Sequence, residues 1–159
     1  MEYARLCATT RLLPTIDVAQ AVKIPPAQLI LFKLELIAMS CGISYCAHSL
    51  GFTVVIQKGS VDRLSDGTFT LENEEFGCPR RCGGQGDVLC GSIGTFAAWA
   101  KHAEPDGFEG NPLLLAAFGG SLVTRASASL AFVKHQRAMT APDVLHNLGK
   151  AFVKAFPDS

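Results

Sequence analysis

Apolar and polar positions follow several rhythms along the 159-residue chain, and each rhythm predicts an element. Residues 28–39 are apolar except for the opening Gln28 and the charged Lys33 and Glu35. A bilayer span needs about twenty largely uncharged residues, so two charges inside a shorter run argue for a buried helix instead. Phe52-Thr53-Val54-Val55-Ile56-Gln57 is a short, continuous, β-branched stretch, the pattern of a strand buried on both faces of a parallel sheet. Ser65-Asp66-Gly67, flanked by Arg63-Leu64 and Thr68-Phe69-Thr70-Leu71, predicts a hairpin with an Asp-Gly turn. Val88, Leu89, Ile93, Phe96, Ala97 and Ala100 recur three and four apart, the helical period. Residues 102–112, rich in Asp, Glu, Gly and Pro, predict a surface loop. A second helix follows from 113 to about 135, where Ala116, Ala117, Gly119, Gly120, Ser121, Ala126 and Ala128 are small enough to admit a close neighbour. Thr140-Ala141-Pro142-Asp143 has the form of a capping box, opening a final helix with Val144, Leu148 and Phe152 on one face.

Composition narrows the class. An apolar fraction of 48% and a mean hydropathy of +0.26 fit a heavily buried α/β protein and not a disordered one. Fourteen basic and fourteen acidic residues cancel, so neither nucleic acid nor a membrane is expected as a partner, and any anion site must be local. Six cysteines without a recognisable secretory leader lead us to expect reduced thiols and a cytoplasmic protein, with a mitochondrial location as the alternative. Cys78-x3-Cys82 with Cys90 nearby has no usual zinc-finger spacing and no close His, so loop and core cysteines are expected and no dedicated metal ligand is assigned. His48, His102, His135 and His146 have no partner at a recognisable spacing and are expected on the surface or satisfied in the core. A GxxxxGK[ST] phosphate loop and internal repeats are absent from the sequence.

The chemistry gathers at Arg80-Arg81-Cys82-Gly83-Gly84-Gln85-Gly86-Asp87, directly before the apolar helical run. Three glycines in four positions are costly in a regular element and are expected where a backbone turns tightly or approaches a ligand. A helix start offers unpaired N–H groups and partial positive charge, which suit a phosphate. Asp87 is the odd residue in such a cradle. It reads as a base that takes a proton from a substrate hydroxyl while the amides hold charge on a transferring phosphoryl group. The alternative is a glycine-rich turn with Asp87 as a helix cap. Lys58-Gly59-Ser60-Val61-Asp62 falls at the end of the predicted strand, where ligands sit in open α/β sheets; an ordinary exposed bend is the other reading.

The run RRCGGQGDVLCGS, with FTVVIQKGSVD before it and NPLLLAAFGGSLVTRASASLAF after it, resembles the ATP-dependent NAD(P)H-hydrate dehydratases of the ribokinase-like superfamily. The resemblance implies an α/β fold, the C-terminal portion of a ribokinase-like domain over residues 47–159, incomplete relative to the family and preceded by a poorly matched region, 1–46. It further implies a hydro-lyase that uses ATP, with accompanying Mg²⁺, to restore NADH and NADPH from their hydrates, NADHX and NADPHX, by phosphorylating a ring hydroxyl and eliminating phosphate. Asp87 would be the catalytic base and touch the substrate. Lys58, Gly59, Ser60, Val61 and Asp62 would hold the nucleotide. Gly83, Gly84, Gln85 and Gly86 with Cys82, Arg80 and Arg81 would hold phosphate. Met1-Glu2-Tyr3-Ala4-Arg5-Leu6 resembles a segment bordering the hydrate, implying Glu2 and Arg5 as pocket residues; a frayed terminus is the alternative. Two further readings stand beside the enzyme: a non-catalytic chain that keeps a nucleotide-phosphate loop, with a second copy or a completing chain as partner, and another small-molecule kinase of the same superfamily.

Overall fold

A computed structural model describes residues 42–51, 53–100 and 110–157. The expectations for Glu2, Arg5, His102 and the run 28–39 lie outside the described residues. The elements are α1 Ile43–Ser49, β1 Val55–Gln57, β2 Asp62–Ser65, β3 Thr70–Asn73, α2 Gln85–Ala100, α3 Pro112–His135, a 3-10 turn Gln136–Ala138 and α4 Ala141–Ala155.

The three strands form an antiparallel meander in the order β1-β2-β3, with Ile56 opposite Leu64 and Leu64 opposite Leu71. The parallel pairing expected for the 52–57 stretch is therefore corrected for the described sheet. Only residues 58–61 separate β1 from β2, and a parallel neighbour would need a crossover of about a dozen residues or more. The Asp-Gly hairpin forms as read. Asp66 Oδ1 accepts from the amides of Thr68 at 2.9 Å and Phe69 at 2.7 Å, and Gly67 takes φ +94°, a conformation that side-chain-bearing residues avoid.

Cross-strand partners share a face and successive residues alternate, which separates two layers. Val55 is buried under Ile43, Cys46 and Ala47 of α1. Leu64, with Ile56 and Leu71, packs against Leu114 and Ala117 of α3. Asp62 and Asn73, a directly opposed pair two residues from Leu64 and Leu71, share the α3 side, so this face changes from apolar to polar along its length.

α3 is the element on which the rest is arranged. Asn111 caps it, its Oδ1 accepting from Leu113 N at 2.9 Å, with Pro112 in the first turn. Gly119 and Gly120 admit α2 closely: a methyl at Gly119 would meet the Phe96 ring at 2.8 Å, and one at Gly120 would meet Ile93 at 2.6 Å. Val123 and Ala126 pack with Ala151 of α4, and Ala128 and Ala131 with Met139 and Val144. By length and composition α3 could cross a membrane, but α2, α4 and β2 take up its apolar faces, and it is here a core helix. The capping box of α4 is present, with Thr140 N and Oγ1 donating to Asp143 Oδ2 at 2.8 and 2.7 Å.

Candidate functional site

The bend after β1 is held from inside. Asp62, 1% exposed, opens β2 and turns its carboxylate back beneath the bend. Oδ1 accepts from Gly59 N at 3.0 Å and from Arg125 Nη1 at 2.9 Å, and Oδ2 accepts from Ser121 Oγ at 2.8 Å. Ser121 Oγ in turn accepts from Asn73 Nδ2 at 2.8 Å. The Arg125 guanidinium also donates to the Gly59 carbonyl at 3.0 Å, the Ser60 carbonyl and the Glu75 carbonyl at 2.6 Å. Asp62 was expected at the nucleotide; the structure spends its oxygens on shaping the bend, which leaves Lys58 and Ser60 exposed on the outside.

The glycine loop opens α2 as expected, with the helix beginning at Gln85. Gly84 stands at φ +89°, and a methyl there would meet Ala141 Cβ at 2.8 Å, so this glycine is required by backbone and space together. Its carbonyl accepts from the amides of Asp87 and Val88, both at 3.1 Å. The amides of Gln85 and Gly86 precede any intrahelical acceptor. Gly83 and Gly86 meet no atom of the described residues within 4 Å of an added methyl, so packing among these residues does not explain them, whereas close approach of a ligand to the backbone would. The loop is closed by Gln85, whose Nε2 donates to the Arg80 carbonyl at 3.4 Å and Cys78 Sγ at 3.5 Å, while Cys78 Sγ donates to the same carbonyl at 2.9 Å.

The two arginines divide. Arg80 Nη1 donates to the Arg137 carbonyl in the 3-10 turn, tying the loop to the start of α4, and its Nε is buried without a partner among the described residues. Arg81 is exposed. Among the described residues, the Lys58 ammonium, the Arg81 guanidinium and the Asp87 carboxylate make no hydrogen bond or ion pair. Cys82 packs with Cys78 and Val88 on Ala128 and Ala131. Burial pushes its thiol up, Cys78 and Asp143 add to this, and Arg80 opposes it, so it is not a ready nucleophile. No three His, Cys, Asp or Glu side chains gather as a metal cage among the described residues.

α3 brings the two segments together. The bend is fixed at Arg125 and the glycine loop packs on Ala128 and Ala131, about 4.5 to 9 Å farther along the helix axis at about 1.5 Å per residue. Arg125, Ser121 and Asn73 escaped the sequence reading. One signal was present: Arg125 is the only charged residue between Leu113 and Val133. A lone charge in a small-residue helix predicts a buried partner. His135 likewise has an acidic neighbour, its Nε2 3.5 Å from Asp143 Oδ1.

A glycine loop opening a helix beside an antiparallel meander, with helices layered on the sheet, is consistent with a partial ribokinase-like α/β domain. A family model described as NAD(P)H-hydrate dehydratase matches residues 43–150. Proteins named ATP-dependent (S)-NAD(P)H-hydrate dehydratase are similar over most of this chain. The Bos taurus protein is 46% identical over 111 residues, covering 69% of this chain and 34% of that protein. The Danio rerio protein is 43% identical over 109 residues, covering 68% and 33%. The Entamoeba histolytica protein is 37% identical over 110 residues, covering 69% and 36%. The chain belongs to the NAD(P)H-hydrate dehydratase family. It spans about a third of the length of these relatives.

Proposed function

We propose that this chain carries the nucleotide and base side of an ATP-dependent dehydratase acting on hydrated NAD(P)H, the substrate class of NADHX and NADPHX. The observation that carries the reading is the uncommitted Asp87 carboxylate in the first turn of a helix. Gly83 and Gly86 beside it are explained by a ligand and not by packing among the described residues. Asp87 accepts the proton of the ring hydroxyl, whose oxygen then bonds to the terminal phosphorus of ATP as ADP leaves. The carbon–oxygen bond of the phosphate ester next breaks, a proton is lost from the neighbouring ring carbon, and the double bond is restored with release of phosphate. The Gly83, Gly84, Gln85 and Gly86 backbone and Arg81 stabilise the phosphoryl oxygens. Lys58 and Ser60 meet the nucleotide, and Arg80, Asp62 and Gln85 hold the two loops in shape.

Mg²⁺ enters as the nucleotide's counter-ion, because phosphoryl transfer requires its charge to be neutralised; no step is assigned to the ion. A reducing compartment, the cytoplasm, fits the free thiols of Cys78, Cys82 and Cys90.

The test is ATP-dependent recovery of reduced-nicotinamide absorbance from NADH hydrate, with Asp87→Asn measured beside the parental chain. Turnover that falls about a hundredfold or more in Asp87→Asn, with ATP affinity retained, is the expected result. Undiminished turnover in Asp87→Asn removes the base from this residue. ATP binding without turnover in the parental chain would assign it a nucleotide-binding role completed by a further chain or segment.

A further inference from the structure

We infer that Arg125 and Asp62 are positioning residues of the nucleotide site, a clamp that fixes the 58–61 bend in the shape the nucleotide meets; this rests on the nucleotide reading above. The two side chains form an ion pair at 2.9 Å, 15% and 2% exposed. Between them they engage both polar backbone groups of Gly59 and the carbonyl of Ser60. A carbonyl turned inward onto a guanidinium cannot point at a phosphate, so the clamp keeps acceptors away from an anion and leaves Lys58 and Ser60 to face it. Ser121 and Asn73 complete the set by occupying Asp62 Oδ2.

Packing alone does not demand this chemistry. A buried ion pair is a poor device for stability, and apolar residues of similar volume would serve the core at least as well. Its use is geometric: a planar guanidinium presents several donors in a fixed fork. Here that fork spans the Gly59, Ser60 and Glu75 carbonyls and the Asp62 carboxylate together. Lysine would retain the charge and lose the span. Glu75 follows β3, so the same residue ties the 58–61 bend and the segment after β3 to α3.

The experiment measures ATP affinity by calorimetry, amide exchange at Gly59 and thermal melting for the parental chain, Arg125→Lys and Ser121→Ala. In Arg125→Lys the Gly59 amide should exchange faster and the ATP Kd should rise about tenfold or more, while a cooperative melt persists. Ser121→Ala keeps the ion pair and removes one bond to Asp62; a rise of about threefold is expected, and it decides the matter if Arg125→Lys does not fold. Faster Gly59 exchange with unchanged ATP affinity would make the clamp merely structural and overturn the inference while leaving the nucleotide reading intact. A folded parental chain that binds no ATP overturns that reading and the inference with it.

Discussion

Charged residues around the two loops fall into those the fold consumes and those it leaves to solvent. Asp62 and Arg80 are bound to the protein, whereas, among the described residues, the Lys58, Arg81 and Asp87 side chains have no hydrogen bond or ion pair. This division predicts a contrast between adjacent arginines. Arg81→Ala should weaken ATP binding about tenfold, the value of a charge-assisted phosphate bond, with little change in melting temperature. Arg80→Ala should chiefly lower the melting temperature, because it releases the loop from the Arg137 carbonyl; calorimetry and melting curves on both variants separate the effects. Cysteine reactivity offers a second check. The half-buried Cys82 thiol is held above its ordinary value, whereas Cys90 is exposed on α2, so alkylation near neutral pH followed by peptide mapping should label Cys90 before Cys82. The chemical letters of the glycine loop were legible because glycine, arginine and aspartate have few reasons to cluster before a helix. The inward turn of Asp62 was not, because its partner lies 63 positions away in sequence and no local spacing announces it.

Elements were legible where periodicity is local and long. The helices after the glycine loop, along the small-residue run and after the capping box stand as α2, α3 and α4. Strand direction was not legible: a short β-branched run reports burial, but its pairing depends on which strands lie beside it, and here a short link made the neighbour antiparallel. The small residues of α3 were read as packing, and Gly120 shows the cost of enlarging one. Its added methyl would meet the Cα and amide nitrogen of Ile93, both at 2.8 Å, and backbone cannot move aside as a side-chain tip can. Gly120→Ala is therefore expected to destabilise by about 1–3 kcal/mol, lowering the melting temperature by roughly 2–12 °C. Gly86→Ala supplies the opposing case, since nothing among the described residues lies within 4 Å; its stability should hold or rise while ATP affinity falls. A Gly86→Ala chain with full affinity would show that the phosphate does not approach that amide.

On the scale of the whole molecule, one carboxylate joins the sheet to the helix that supports the site. Asp66 is 5% exposed at the hairpin tip, where Oδ1 accepts from Thr68 and Phe69 and Oδ2 accepts from the Asn111 amide at 3.2 Å, just before α3. Burial favours the neutral acid, but the amides of Phe69, Thr68 and Asn111 outweigh it and hold the carboxyl below its ordinary 3.8. A depressed folded-state value means that the ionised form stabilises the fold. That contribution is complete above 3.8 and is lost as pH falls through the lower folded-state value. Asp66→Asn tests the linkage, because its NH2 group would face one of the amides that the carboxylate oxygens accept from. The variant should melt well below the parental chain at pH 7, and the gap should narrow as pH is lowered past 3.8. A gap constant across pH 2 to 7 would mean that Asp66 acts by shape alone and that the acid sensitivity of the fold arises elsewhere. Because α3 carries both loops, the same loss should loosen the site before it unfolds the chain: at pH 7, where the parental Asp66 is ionised, Asp66→Asn should bind ATP more weakly than the parental chain while still melting cooperatively.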